Sequence, residues 1–333
     1  MDLDPIVVEK LNALAKKYDA MGQDIVSYLD GLLYADYLTY WDYIDLDILL
    51  NLQHPKTSFP DEMVFIIYHQ ITELYFKLTI HELNQISHNG KNILTTGQDL
   101  GYNETIDVKF FIARLKRINK YFESLTGSFD IMVDGMEKEQ FLLFRMALLP
   151  SSGFQSFQYR KIEVLATDFL NLVDKNIRGD LANETDFKTL FKNIYWKKGA
   201  TELATGKKTL TLKQFELKYS KHLIATAEKY KNINLWQKYK GLSKEDQNNA
   251  GIIKELKQFD VNVNINWPLV HYKSAVRYLQ RSPEAIAATG GTNWQKYLPP
   301  KFQKRIFYPE LWSDEEKNAW GKAWVDDLMI KKN

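Results

Sequence analysis

The segment from about residue 60 to 88, which reads DEMVFIIYHQITELYFKLTIHELNQISH from Asp61 onward, most constrains the fold. Its apolar residues cover most of the circumference of a helix, and such a helix must be enclosed by others. His69, Gln70, Glu73 and Lys77 are the polar interruptions, and Ser58-Phe59-Pro60-Asp61 ahead of it has capping-box form with proline in the first turn. The expectation is an all-α helical bundle with this segment inside it.

The flanking sequence agrees. Residues 6–33 carry helical spacing, with Ile6, Leu11, Leu14 and Ala15 on one face, and lead into the aromatic stretch Tyr34 to Tyr43. A basic amphipathic helix is predicted over 107–125, another over 137–149 ending at Pro150-Ser151-Ser152-Gly153, and a further one over about 156–175. Residues 176–262 shift towards Lys, Asn, Glu and Thr and read as an accessory helical insertion. Within it Thr211 caps one helix, and Lys229 to Asn249 looks loop-like. Asn266-Trp267-Pro268 opens an apolar helix to about 280, followed by the small-residue loop Ala287 to Asn293. With only Gly 16 and Pro 9 in 333 residues, no rival all-β pattern of short, turn-bounded strands emerges.

Cysteine is absent, which excludes disulfide scaffolds, thiolate metal sites and thiol nucleophiles. Lys+Arg 44 against Asp+Glu 42 gives a formal charge of +2, so no net field directs the chain to nucleic acid or an anionic membrane. The start, Met1-Asp2-Leu3-Asp4-Pro5, lacks a basic and an apolar region, and no window reaches roughly 18 uninterrupted apolar residues. A soluble, cytoplasmic protein with a small-molecule partner is expected.

Three side chains carry the candidate chemistry. His69 shares a face with Phe65 and Glu73, and is either a core histidine bonded to Glu73 or a site residue. His271 has small Ser274 and Ala275 one turn further along its face, which leaves room for a flat macrocycle; a packed, hydrogen-bonded histidine explains the pattern equally well. Arg145 lies in the apolar run Phe141 to Leu149, so a buried guanidinium there needs an anion, either an internal Asp or Glu or a substrate carboxylate. Arg160 has a local partner three residues on, in Glu163. No Glu-x-x-His, HExxH or EF-hand pattern occurs, and Thr289-Gly290-Gly291-Thr292 lacks the spacing of a phosphate loop. That loop reads either as a segment closing over a ligand or as a surface turn.

Taken together, Asp61 to Gln70, Glu73-Leu74, Lys77 and His81-Glu82-Leu83 resemble the N-terminal signature of the tryptophan 2,3-dioxygenase family. Phe144-Arg145 with Pro150-Ser151-Ser152-Gly153-Phe154-Gln155-Ser156-Phe157-Gln158-Tyr159-Arg160-Lys161-Ile162-Glu163 resembles its second and most specific block, at matching spacing. The likeness covers about 34–170 and 264–312. It implies one all-α domain over 1–333 around haem b, a homotetramer, and insertion of both atoms of O2 across the indole C2–C3 bond of L-tryptophan to give N-formyl-L-kynurenine.

The resemblance also implies residue roles. His271 matches the axial ligand of the haem iron and His69 the distal histidine that meets the indole N–H. Arg145 matches the partner of the substrate carboxylate, Thr289 the loop threonine near the ammonium and carboxylate, and Phe65 the wall beside the indole. Phe141 stands where some relatives carry tyrosine, so a hydroxyl contact to the carboxylate is missing here. Tyr40, Tyr43 and Ile44 match a segment, within residues 1–50, that lines a neighbouring subunit's site; Phe129 and Ser152 match positions along the haem. Two other readings stand beside this one: a haem enzyme of the same fold with another aromatic substrate, and a non-catalytic helical ligand-binding protein.

Overall fold

The computed structural model describes residues 3–34, 39–90, 105–145, 155–201, 206–279 and 300–322. Secondary structure among them is helical apart from isolated bridges pairing Val173 with Ile194 and Thr201 with Lys208. The chain divides into two compact units, Met1–His54 and Pro55–Asn333.

The first unit holds α1 (Pro5–Ala20), α2 (Ile25–Tyr34), α3 (Tyr40–Tyr43) and α4 (Leu46–Leu50). The helical spacing over 6–33 is therefore split. Gly22 takes a φ of +65°, which ends α1 at no Cβ cost, and Asp24 then caps the next helix by accepting from the Val26 and Ser27 amides. Tyr40 and Tyr43 are exposed and Ile44 is half-buried within this unit.

The second unit is built on α5 (Asp61–Ser87), α6 (Val108–Ser128), the short α7 (Asp130–Val133), α8 (Lys138–Phe144) and α9 (Phe157–Ala166). The expected Ser58 capping box is replaced. Pro60 precedes α5 without a side-chain cap, and the Glu62 carboxylate reaches back to the Lys56 amide at 2.8 Å and the Thr57 amide at 2.7 Å. The helix expected over 156–175 ends at Ala166 and gives way to a tight 3-10 turn, Phe169–Leu172.

Next come α10 (Phe187–Lys192), α11 (Leu210–Tyr230), α12 (Leu235–Lys240), α13 (Lys244–Gln247), α14 (Ala250–Val261), α15 (Trp267–Leu279), α16 (Pro300–Gln303) and α17 (Asp314–Asn318). Three expectations change here. The cap of α11 is Thr209, which accepts from Leu212 N, rather than Thr211. The loop-like 229–249 contains α12 and α13, because its polar residues serve as caps: Asn234 accepts from Gln237 N and Ser243 from Asp246 N. No new helix opens at Asn266-Trp267-Pro268; α14 continues through a π turn, Asn262–Asn266, straight into α15.

α5 lies against α6 and α9, and α6 against α14. Phe111, Leu115, Ile118, Phe122, Leu165, Leu256 and Phe259 are fully buried between them. Each such side chain contributes about 1.5–3 kcal/mol by leaving water. Segment 176–262 shares this core: Leu212, Phe215, Leu223, Trp236, Leu256 and Phe259 belong to the same buried cluster as Phe76 and Phe122, and Phe157 of α9 stacks on Tyr219 of α11 at 4.6 Å. The segment read as an accessory insertion is thus integral to the bundle. No described helix is long and apolar enough to cross a membrane.

Candidate functional site

Within the second unit α5, α7, α8 and α15 bring the singled-out residues together. His69 lies on α5 with its Nδ1 2.7 Å from the Phe65 carbonyl one turn earlier. A carbonyl only accepts, so Nδ1 carries the proton and Nε2 keeps its lone pair. The expected bond to Glu73 is not formed: the Glu73 carboxylate accepts from Gln158 of α9 at 2.9 Å, which joins α5 to α9. The His69 ring is accessible, yet protein packs around it closely enough that desolvation lowers its pKa despite the Phe65 bond and the Glu73 charge.

His271, on α15, repeats the arrangement. Its Nδ1 donates to the Trp267 carbonyl at 2.9 Å, which leaves the Nε2 lone pair outward. Burial pushes its pKa down to about 4; the Trp267 bond opposes this, and the neighbouring His69 adds to it. The imidazole is therefore neutral at neutral pH, as a metal ligand must be. Two rings link the histidines: Tyr68 lies 6.3 Å from the His69 ring and 5.8 Å from Phe129, which in turn packs on His271. Phe129 packs on His271 at a ring separation of 4.5 Å and Trp267 at 4.4 Å, and the Ser274 hydroxyl donates to the Met132 carbonyl, fastening α15 to α7.

Next to His69 is an aromatic wall. Phe65 lies 4.0 Å from the His69 ring, 6.3 Å from Phe141 and 5.7 Å from Phe144; Phe141 lies 4.4 Å from Tyr278 of α15. Arg145, immediately after α8, holds its guanidinium 5.9 Å from the Phe141 ring centre. It is half-buried, desolvation lowers its pKa, and among the described residues it has no carboxylate partner. Arg160, by contrast, pairs with Glu163 at 2.8 Å as its spacing implied.

Phe65, His69, Phe129, Phe141, Arg145 and His271 are thus assembled in one region of the second unit. Thr289 and Ser152 lie outside the described residues, as do the loop 287–293 and residues 146–149 of the expected 137–149 helix. Tyr40, Tyr43 and Ile44 belong to the first unit. Sequence reasoning assigned no role to Trp267, Phe144 and Tyr278, buried aromatics that pack against His271, Phe65 and Phe141; Trp267 was detectable as the residue one turn before His271.

Arranged this way, the groups can do three things. Arg145 can pair an anion, the Phe65–Phe141 wall can hold a flat apolar ring, and His69 Nε2 can accept a hydrogen bond from an N–H on that ring. His271 Nε2 can ligate one metal position. Among the described residues no group of three or more His, Asp and Glu is placed to hold a metal ion.

A profile of the family described as tryptophan 2,3-dioxygenase matches residues 32–264. Relatives named tryptophan 2,3-dioxygenase include those of Ruegeria sp. (strain TM1040), 43% identical over 130 residues, and of Bradyrhizobium sp. (strain BTAi1 / ATCC BAA-1182), 41% identical over 128 residues. These matches cover 39% and 38% of this chain and 42% and 41% of the relatives. That of Pseudomonas fluorescens is 34% identical over 132 residues, covering 40% of this chain and 42% of the relative. The chain spans about two fifths of the length of the curated relatives it matches. With most of its length matched by the family profile, the chain belongs to the tryptophan 2,3-dioxygenase family.

Proposed function

We propose that this protein opens the indole C2–C3 bond of L-tryptophan with O2, giving N-formyl-L-kynurenine, the first step of tryptophan catabolism by the kynurenine route. The observation that carries the reading is Arg145: a partly desolvated cation with no carboxylate partner among the described residues, set on the aromatic wall beside His69. A half-buried guanidinium that makes no ion pair among the described residues is placed to take a substrate carboxylate.

The cofactor proposed is haem b, which His271 would hold through its iron, with Phe129 and Ser152 as further residues that would bind it. A neutral imidazole with Nδ1–H bonded to a backbone carbonyl and Nε2 free suits that role. When bound, the haem supplies the chemistry that activates O2. The chain's own residues do the rest. Arg145 pairs the carboxylate, with Thr289 near the ammonium and carboxylate. Phe65 and Phe141 hold the indole ring, and His69 Nε2 accepts from the indole N–H. Together they fix the ring's orientation and keep water away. Phe141 in place of tyrosine leaves the guanidinium to hold the carboxylate without an added hydroxyl from that position.

The working form is proposed to be a homotetramer in the cytoplasm, with Tyr40, Tyr43 and Ile44 completing a neighbouring subunit's site. Met63, Ile67, Ile71, Leu74 and Leu78 form an exposed apolar stripe on α5, and Leu29, Leu32, Leu33 and Tyr34 are exposed on α2; both favour burial against other copies. The test is to reduce the haem-loaded protein, supply L-tryptophan and O2, and identify the product by mass spectrometry. Gain of both oxygen atoms with N-formylkynurenine fragments supports the proposal, and an unchanged substrate overturns it.

A further inference from the structure

The helix that carries His271 contains a defect, and the defect is clamped from outside. Between α14 and α15 the π turn Asn262–Asn266 inserts an extra residue, and Pro268 sits just inside α15. Proline has no N–H, so it leaves unpaired the carbonyl it faces, that of Asn264 in α register or Val263 in π register. Other elements take up the slack. The Val263 carbonyl accepts from the Tyr159 hydroxyl of α9 at 2.9 Å and from Arg305 Nη2 at 3.1 Å. Arg305 Nε donates to the Asn264 side chain. From the α6 side, Asn119 accepts from Asn262 Nδ2 at 3.2 Å.

The clamp is an expensive one. Arg305 also donates to the Tyr159 hydroxyl at 2.8 Å and pairs with Glu163, a fully buried carboxylate that at the same time holds Arg160 at 2.8 Å and the Tyr195 hydroxyl at 2.6 Å. Two buried guanidiniums thus share one carboxylate. Apolar side chains of similar size would commonly be at least as stable there, so the arrangement is better explained by the geometry it imposes than by stability.

That geometry bears on His271. Each residue inserted into or removed from an α-helix turns everything beyond it by about 100°, so the π turn sets the face of α15 on which His271 emerges. We propose that Tyr159 and Arg305 are positioning residues for His271: by fixing Val263 and Asn264 they set the rotation of α15 and so the aim of the imidazole. This rests on reading His271 as the axial haem ligand.

The experiment compares Tyr159→Phe, which loses only the hydroxyl, and Arg305→Lys, which keeps the charge but loses the fork. The control is Lys257→Gln, which breaks the Lys257–Glu316 pair on the outer side of α14. Three readouts are taken: thermal unfolding, haem affinity by titration of the haem-free protein, and the ferrous iron–histidine stretching band. In the first two variants haem affinity is expected to fall about 10–100-fold, the range for losing a group that orients a metal ligand, with a shifted or split iron–histidine band and helical content retained. Lys257→Gln keeps the wild-type values. Wild-type affinity and band in both Tyr159→Phe and Arg305→Lys overturn the proposal, as does an equal loss in Lys257→Gln. A wild-type chain that takes up no haem, or a His271→Gly variant that keeps the iron–histidine band, overturns the ligand reading and this proposal together.

Discussion

Replacing Arg145 by methionine isolates the claim that its charge serves a ligand and not the fold. The guanidinium stands just past the end of α8, half-buried, packed on Phe141 and without a carboxylate partner among the described residues. Removing it therefore breaks no ion pair in this region, and stability should move by no more than about 0.5 kcal/mol, as for a substitution away from a structural network. Binding of a carboxylate-bearing substrate should suffer far more. Loss of one partner from a desolvated charge pair costs roughly 2–5 kcal/mol, which at 1.4 kcal/mol per factor of ten is about 30-fold to several thousand-fold in affinity. Titration calorimetry with L-tryptophan and with tryptamine, which lacks the carboxylate, separates the effects: Arg145→Met should weaken the first strongly and the second little. Equal weakening of both ligands, or a melting temperature that falls with binding unchanged, would refute the reasoning.

The other predictions follow the same logic. His69→Ala should lower kcat for L-tryptophan about tenfold to thousandfold, the scale of one positioned hydrogen-bonding group, and should slow an indole N-methylated substrate much less; equal slowing would show that His69 does not act through the N–H. Glu163→Gln removes the carboxylate charge shared by buried Arg160 and Arg305, and thermal unfolding should report about 3–5 kcal/mol of destabilisation, whereas a change under about 1 kcal/mol would contradict the network's role. Ile71→Glu, in the middle of the exposed apolar stripe of α5, should reduce the assembled mass measured by sedimentation. An unchanged mass would show that this stripe is not buried between copies.

The sequence made the bundle legible where a long period and an enclosed apolar face coincide, as in α6; α5, expected to be enclosed on all sides, is buried along Tyr68, Phe76, Ile80 and Leu83 and leaves Met63, Ile67, Ile71, Leu74 and Leu78 exposed. It misjudged places where two local signals compete. Over 6–33 the periodicity runs on through Gly22, but positive φ and the Asp24 cap divide the helix. At Pro268 the residue that normally opens a helix sits inside one, because the π turn and the outside donors to Val263 absorb its missing N–H. Within the site, Arg145 and the two histidines stood out because polar groups in apolar helices need a reason. Their partners did not. Glu73 seemed the natural mate of His69 one turn away, and the residue that takes it is Gln158, 85 positions on. Arg305 meets Glu163 across 142 positions, and nothing in Lys304-Arg305-Ile306 marks it. Pairings set by tertiary approach leave no periodic trace.

Identifying what the protein makes from L-tryptophan tests the central claim most directly. The haem-loaded, reduced protein is given L-tryptophan and isotopically heavy dioxygen, and the product is analysed by mass spectrometry. N-formyl-L-kynurenine carrying both heavy oxygen atoms is the result predicted. A product with one heavy atom, or tryptophan recovered unchanged from protein that has bound haem, would contradict the account.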